Sequence, residues 1–175
     1  MVQGFDLIVR RATAGDANLL AEIGARTFSE TFASENTPED MAAYLSVSFS
    51  SAQQASEIAD ASSTFFIAEV NRVSAGYAKL QDSNPPASVR GVKPVELARL
   101  YVSKGWLGRG VGEALMRECV EEARRTGHET IWLGVWERNE RAQAFYRKWG
   151  FREVGDHVFQ LGSDRQTDIL MELAL

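Results

Sequence analysis

Apolar positions along this chain change their period several times, and each change marks an element. Phe5 to Arg11 reads as a first strand. From Asp16 to Phe32 the apolar residues Leu19, Leu20, Ile23 and Phe28 predict a helix, with Thr13 or Asp16 placed to cap it. Pro38 begins a second helix behind Thr37, with Met41, Tyr44 and Leu45 as its apolar face, and Ser50 to Ala59 continues helically. Thr64 to Val70 and Ala75 to Gln81 predict a hairpin across Asn71 to Ser74. Pro85, Pro86 and Gly91 mark 83–93 as a surface loop. A short apolar run at 95–102 reads as a buried strand. A helix follows over 108–126, where Val111, Leu115, Cys119 and Ala123 recur at helical spacing. Glu113/Arg117 and Glu121/Arg125 add acid-before-base pairs on its other side. A strand at 130–136, a helix at 139–149 and strands near 151–161 and 167–173 complete the chain. The order is α+β in character around a mixed sheet, with a β-α-β core from 95 to 136, in a single domain over residues 1–175.

The junction between that buried strand and the next helix holds Leu107-Gly108-Arg109-Gly110-Val111-Gly112. Glycine there admits positive φ and close approach of a ligand. The first helical turn offers free N–H groups and the positive end of the dipole, which together suit an anion. The pattern predicts a phosphorylated ligand at residues 108 to 113. No Lys-Ser/Thr pair closes the loop, so it is not a triphosphate loop. Glu113 stands where a dinucleotide fingerprint would want its last glycine. On the loop alone, a glycine-softened helix start without a ligand is the alternative.

Further motifs narrow the choice. Glu96 to Val102, the glycine loop, Trp132 to Asn139 and Ala144 to Phe151 together resemble the GNAT superfamily of acetyl-CoA-dependent N-acetyltransferases over nearly the whole chain. The most specific part is Asn-x-x-Ala-x-x-Phe-Tyr-x-x-x-Gly-Phe, read from Asn139 to Phe151. Thr27 to Phe32, Trp132 to Glu137 and Asp164 to Asp168 are similar to the bacterial spermine/spermidine acetyltransferase group. The resemblance implies a mostly antiparallel, seven-stranded mixed sheet flanked by about four helices. It also implies a central splay between the fourth and fifth strands that admits the pantetheine arm of CoA. One departure is Leu107, where the family usually has Gln or Arg; that residue contributes mainly its backbone.

Composition is that of a soluble globular protein, with 45% hydrophobic and 25% charged residues. A single cysteine excludes an internal disulfide framework, and Cys119 on the apolar helix stripe reads as a small buried hydrophobe. No basic-then-apolar leader opens the chain and no apolar run approaches membrane length, so the expected location is the cytoplasm. Net charge is −5, and residues 1 to 60 hold nine acids against three bases. From Thr27 to Asn71 seven acids occur without a Lys or Arg. Such a front half repels nucleic acid and anionic membranes and is suited to a cation, or it is simply a solvated face.

Acetyl transfer from a thioester to an amine sets chemical requirements. The pyrophosphate needs an anchor, which the amides of residues 108 to 113 can supply. By resemblance, the CoA-binding set is Leu100, Tyr101, Val102, Leu107, Gly108, Arg109, Gly110, Val111, Gly112, Glu113, Asn139, Phe145, Tyr146 and Lys148. Within it the backbone of Leu100 to Val102 polarises the thioester carbonyl. Tyr146 is the expected acid for the leaving thiolate. By spacing alone Ala142, Phe145, Tyr146 and Trp149 are merely an apolar helix face. Asn139 suits both a helix cap and a CoA contact. Glu96, at the start of its strand, matches the place where several family members keep a general base. The alternative is a strand-end carboxylate paired with a basic residue, and Glu69, Glu137 or a water chain are weaker options. His128 and His157 lack partners at ligand spacing, so no metal site is expected. Phe28, Phe32, Glu35, Tyr44, Tyr77 and Trp136 are the expected lining of the acceptor site, where aromatic faces attract ammonium groups. The expectation is an acetyl-CoA-dependent N-acetyltransferase acting on a polyamine. A protein N-terminus or another small amine as acceptor, and a CoA-sensing module with little catalysis, remain open. The expected partner is a small cationic amine, with no nucleic acid and no membrane, and a homodimer is left open.

Overall fold

Alternation along the strands sends side chains into two separate cores. Phe66, Ala68 and Val70 join one cluster, whereas their neighbours Phe65 and Ile67 join the other. The structure, a computed structural model, describes residues 4–175. Chain order is β1 (Leu7–Arg11), α1 (Ala17–Phe32), α2 (Pro38–Ser48), α3 (Ser51–Ala59), β2 (Ser63–Val70), β3 (Val73–Gln81), β4 (Pro94–Val102), α4 (Val111–Arg125), β5 (Thr130–Trp136), α5 (Glu140–Lys148), β6 (Arg152–Leu161) and β7 (Asp164–Ala174). Val111, Leu115, Cys119 and Ala123 of α4 are fully buried against one sheet face. Leu20, Ile23 and Phe28 of α1 cover the other face, with Phe49 and Leu161.

The seven strands form one sheet in the order β1-β2-β3-β4-β5-β7-β6. Every pairing is antiparallel except β4 with β5. Local chemistry explains the helix starts: the Thr37 hydroxyl accepts from Asp40 N–H (3.2 Å) and the Ser50 hydroxyl from Gln53 N–H (3.1 Å). Asp16, beside the start of α1, accepts two bonds from Arg10 at 2.9 Å each. That partner holds its carboxyl down at about 2. Among the described residues five α-helices flank the sheet, where about four were expected. The helix expected from 108 begins only at Val111, because Gly108 (φ +73°) and Gly110 (φ +86°) take left-handed conformations that no helix interior accepts.

One feature of the sheet creates the cleft. β4 and β5 pair only through Pro94–Glu96 and Thr130–Trp132, although both strands run on. Lys79 faces Arg99 while Leu80 faces Leu97, so Ala98 is an extra residue in β4. A bulge of this kind bends its strand and increases local twist. Beyond it, β4 diverges from β5 and leaves a wedge-shaped opening in the middle of the sheet.

Candidate active site

The opening is a cleft of about 760 Å³ that runs from the start of α4 to the aromatic side chains of α1 and α2. At one end, Leu107, Gly108, Gly110, Gly112 and Glu113 line it. Ala114 N–H is the first to bond within the helix, to the Gly110 carbonyl at 3.0 Å. The amides of Val111, Gly112 and Glu113 therefore have no intrahelical acceptor. Val111 buries its side chain completely in the core and offers only backbone to a ligand. The Arg109 guanidinium lies over the Trp106 ring, 5.4 Å from its centre, and Arg109 is not among the cleft-lining residues. Glu113 is paired with Lys148 across the mouth at 2.9 Å.

In the middle of the cleft the β5-facing edge of Leu97 to Val102 has no ladder partner, so its peptide groups address the opening. Opposite stands α5. Asn139 caps this helix, its side-chain oxygen accepting from Ala142 N–H at 3.1 Å, and it also lines the cleft. Phe145 and Tyr146 line the cleft with it; Tyr146 packs edge-on against Phe145 (5.5 Å) and Phe151 (5.6 Å). Burial raises the Tyr146 phenol above its usual range, so the hydroxyl keeps its proton.

The far end is aromatic. Phe28 stacks on Phe32 (4.4 Å) and on Tyr44 (4.6 Å), and Trp136 lies 5.1 Å from Phe32. These four residues, expected as acceptor lining, do line the cleft, joined by Phe49, Tyr101 and Phe159. Three expected residues do not. Tyr77 is fully buried beneath Tyr101, with ring centres 6.0 Å apart, and belongs to the core. Its hydroxyl has no hydrogen-bond partner among the described residues. Glu35 lies in the turn after α1, exposed and bound to Arg138 at 3.2 Å, outside the cleft. Glu96 sits where β4 and β5 still pair and accepts from the Ser83 hydroxyl (2.6 Å) and the Gln81 amide (3.4 Å). Glu96 is not among the cleft-lining residues, which in β4 begin at Leu97, and this differs from its expected place as a base in the site. Glu69 is occupied by Arg10 at 2.9 Å.

Two charged groups at this end were not anticipated. Asp168 of β7 lines the cleft with its side chain 15% exposed, next to His157. Arg99 lines it too and makes two bonds to Glu57, at 2.8 and 3.1 Å. Glu57 also receives Lys79 at 2.8 Å. Burial opposes the Glu57 charge, but Arg99 and Lys79 outweigh it and hold its carboxyl below the ordinary range. Charged residues inside apolar strands were the available signal: Lys79 between Ala78 and Leu80, and Asp168 before Ile169 and Leu170.

The sequence profile of the Acetyltransferase (GNAT) family matches residues 25–151. The chain belongs to this family. An uncharacterized N-acetyltransferase in the pepI 3′ region of Lactobacillus delbrueckii subsp. lactis is 38% identical over 153 residues, 87% of this chain and 88% of that one. An uncharacterized N-acetyltransferase of Mycobacterium tuberculosis H37Rv is 35% identical over 157 residues, 89% of this chain and 96% of that one. In fold, the chain is similar to the PaiA N-acetyltransferase of Thermoplasma acidophilum in complex with coenzyme A. That likeness has a TM-score of 0.79 at 20% identity and covers 97% of this chain and 99% of the other. The Salmonella typhimurium acetyltransferase YncA with acetyl-CoA gives 0.69 at 23% identity, covering 97% and 94%. The protein is thus an N-acetyltransferase with the GNAT fold, and the splayed strands and glycine turn are the parts of that fold which form its cleft.

Proposed function

We propose that this acetyltransferase uses acetyl-CoA to acetylate a primary amine of a small cationic molecule, of which a polyamine is the best-fitting class, by direct transfer in a ternary complex. The observation that carries the acceptor assignment is the far end of the cleft. A box of Phe28, Phe32, Tyr44 and Trp136 closes on Asp168, a carboxylate that no Arg or Lys among the described residues neutralises. Aromatic faces and a shielded carboxylate both favour an ammonium group. The partly buried Arg99, by contrast, is paired with Glu57, which argues against its recruiting a carboxylate-bearing acceptor.

The opposite end fits CoA. Three unpaired amides at a helix start and two glycines with positive φ suit a pyrophosphate. Acetyl-CoA supplies the acetyl group activated as a thioester. The α4 amides hold the anionic end, and the open edge of β4 polarises the carbonyl. Tyr146 keeps its proton until the leaving sulfur needs one, and Asn139 fixes the start of the helix that carries it. The names of the curated relatives specify no acceptor. Solved neighbours in fold include a ribosomal-protein-S18-alanine N-acetyltransferase from Escherichia coli, at 20% identity, so the fold alone does not select one. CoA release measured with spermidine, spermine, glutamate and a peptide N-terminus is the test. The expected order puts the polyamines first. Far faster acetylation of glutamate or the peptide would overturn the polyamine assignment, and background release with every amine would leave only CoA binding.

A further inference from the structure

An ammonium group, with a pKa near 10.4, must lose a proton before its nitrogen can attack, and neither Tyr146 nor the displaced Glu96 accepts one in the cleft. Glu30 also lines the cleft but is held by Lys104 N–H at 2.9 Å, and among the described residues Asp168 is the carboxylate left at the aromatic end. Asp168 stands opposite Trp136 in the β5–β7 ladder and opposite His157 in the β6–β7 ladder. Its Oδ2 is 3.6 Å from His157 Nε2. The pair spans the boundary between cleft and solvent: the Asp168 side chain is 15% exposed, and that of His157, on the edge strand, is 40% exposed.

Gly134 of β5 keeps the pair open to the cleft. A Cβ at this position would lie 3.1 Å from His157 Nε2 and 3.2 Å from Asp168 Oδ2. Other groups around Asp168 leave it chemically free. Tyr44 of α2 brings a phenol held neutral by burial, and Gly134 and Trp136 bring no charge. Across the cleft Arg99 is committed to Glu57.

We propose that Asp168 takes the proton from the acceptor ammonium and passes it to His157, which releases it to solvent at the sheet edge. This rests on reading the aromatic end as the acceptor site. The ammonium N–H bond breaks and an Asp168 O–H bond forms, leaving a neutral amine whose lone pair forms the new C–N bond. The C–S bond breaks with its electrons on sulfur, which takes the Tyr146 proton. Asp168 then gives its proton to the His157 imidazole and the imidazolium gives it to water, restoring both residues. Burial of Asp168 raises its affinity for a proton, and burial of an ammonium among aromatic rings lowers that of the amine, so the two approach one another.

The test uses the full chain with saturating acetyl-CoA and spermidine varied up to saturation, from about pH 6 to about pH 10. Asp168→Asn should keep CoA affinity by calorimetry while kcat at neutral pH falls by roughly 10²- to 10³-fold. Its rate should climb about tenfold per pH unit toward the pKa of the amine, as solvent then delivers the neutral form. His157→Gln, at a half-exposed edge position, should lose about tenfold and regain it as imidazole buffer is added in place of the missing carrier. A raised KM for spermidine with wild-type kcat and pH profile in Asp168→Asn would show a purely electrostatic contact and overturn the proposal. A His157→Gln variant with wild-type rate and no response to imidazole would overturn the relay. Absence of turnover of any cationic amine by the wild type is a different result: it removes the acceptor reading and this proposal with it.

Discussion

Single side chains in this molecule divide into those that face the cleft and those that hold its walls in place. Tyr146 does both, since its ring packs against Phe145 and Phe151 while it lines the opening. Tyr146→Phe removes only the hydroxyl, so the packing of α5 and the affinity for CoA should survive. The expected fall in kcat is roughly 10²- to 10⁴-fold, read by steady-state kinetics, with calorimetry as the binding control. Unchanged turnover would return the residue to the core. Glu57 is of the second kind. Its carboxylate is the shared partner of Lys79, which is only 5% exposed, and of Arg99. Glu57→Gln leaves the buried Lys79 and the partly buried Arg99 facing a neutral amide and should destabilise the fold by about 3 kcal/mol, measured as a lower urea midpoint at unchanged slope. Adding Lys79→Met in that background should recover part of the loss, because one of the stranded charges is then gone.

The element proposed to anchor CoA is the turn into α4. Gly110 carries φ +86°, and a Cβ built there meets nothing within 4 Å. Gly110→Asp is therefore tolerated sterically, at a cost of roughly 1–2 kcal/mol for the left-handed backbone. The new carboxylate is itself favourable beside a helix N-terminus, so the fold should persist. It would occupy the amides and repel a pyrophosphate, and CoA affinity by calorimetry should fall at least tenfold, by about 1.4 kcal/mol. Near wild-type affinity would remove this turn from the binding site. The expected helix over 108–126 missed the start of α4 by three residues, because its apolar period extends smoothly backward while the backbone does not. Strand and helix types elsewhere follow from local pattern, as at Thr37-Pro38 and in the turn at Asn71-Arg72, where both residues take positive φ.

Across the whole molecule, the acidic stretch from Thr27 to Asn71 does contribute a cleft wall, but an aromatic one. Among its seven acids only Glu30 lines the cleft, where it accepts from Lys104 N–H at 2.9 Å. Glu35, Asp40, Glu57 and Glu69 are bound to Arg138, Ser163, Lys79 with Arg99, and Arg10, and Asp60 caps Ser62. Under the proposed reading, capture of a cation would depend on the shielded Asp168 rather than on a broad surface field. Added salt screens exposed charges over about 10 Å at 0.1 M but reaches a buried carboxylate weakly. The KM for spermidine should therefore change by less than about threefold between low and moderate salt, in steady-state assays. A steep rise would return the acidic surface to the recognition of the amine.

The sequence by itself determined the seven strands, the helices between them, the burial of Cys119, the glycine turn and the helix that carries Tyr146. All of these rest on neighbours a few residues apart: apolar period, caps and positive-φ glycines. Tertiary structure decided the rest of the site. The wedge between β4 and β5 depends on a bulge at Ala98 that appears only when β4 is laid against β3. Pairing with Trp132 places Glu96 outside the cleft lining. Burial beneath Tyr101 removed Tyr77, and the turn after α1 kept Glu35 at the surface. Asp168 meets His157 across a hairpin, and Glu57 meets Lys79 and Arg99 from positions 22 and 42 residues away. No local period encodes such meetings. They follow from which strands lie side by side and from the cost of leaving a buried charge unpaired.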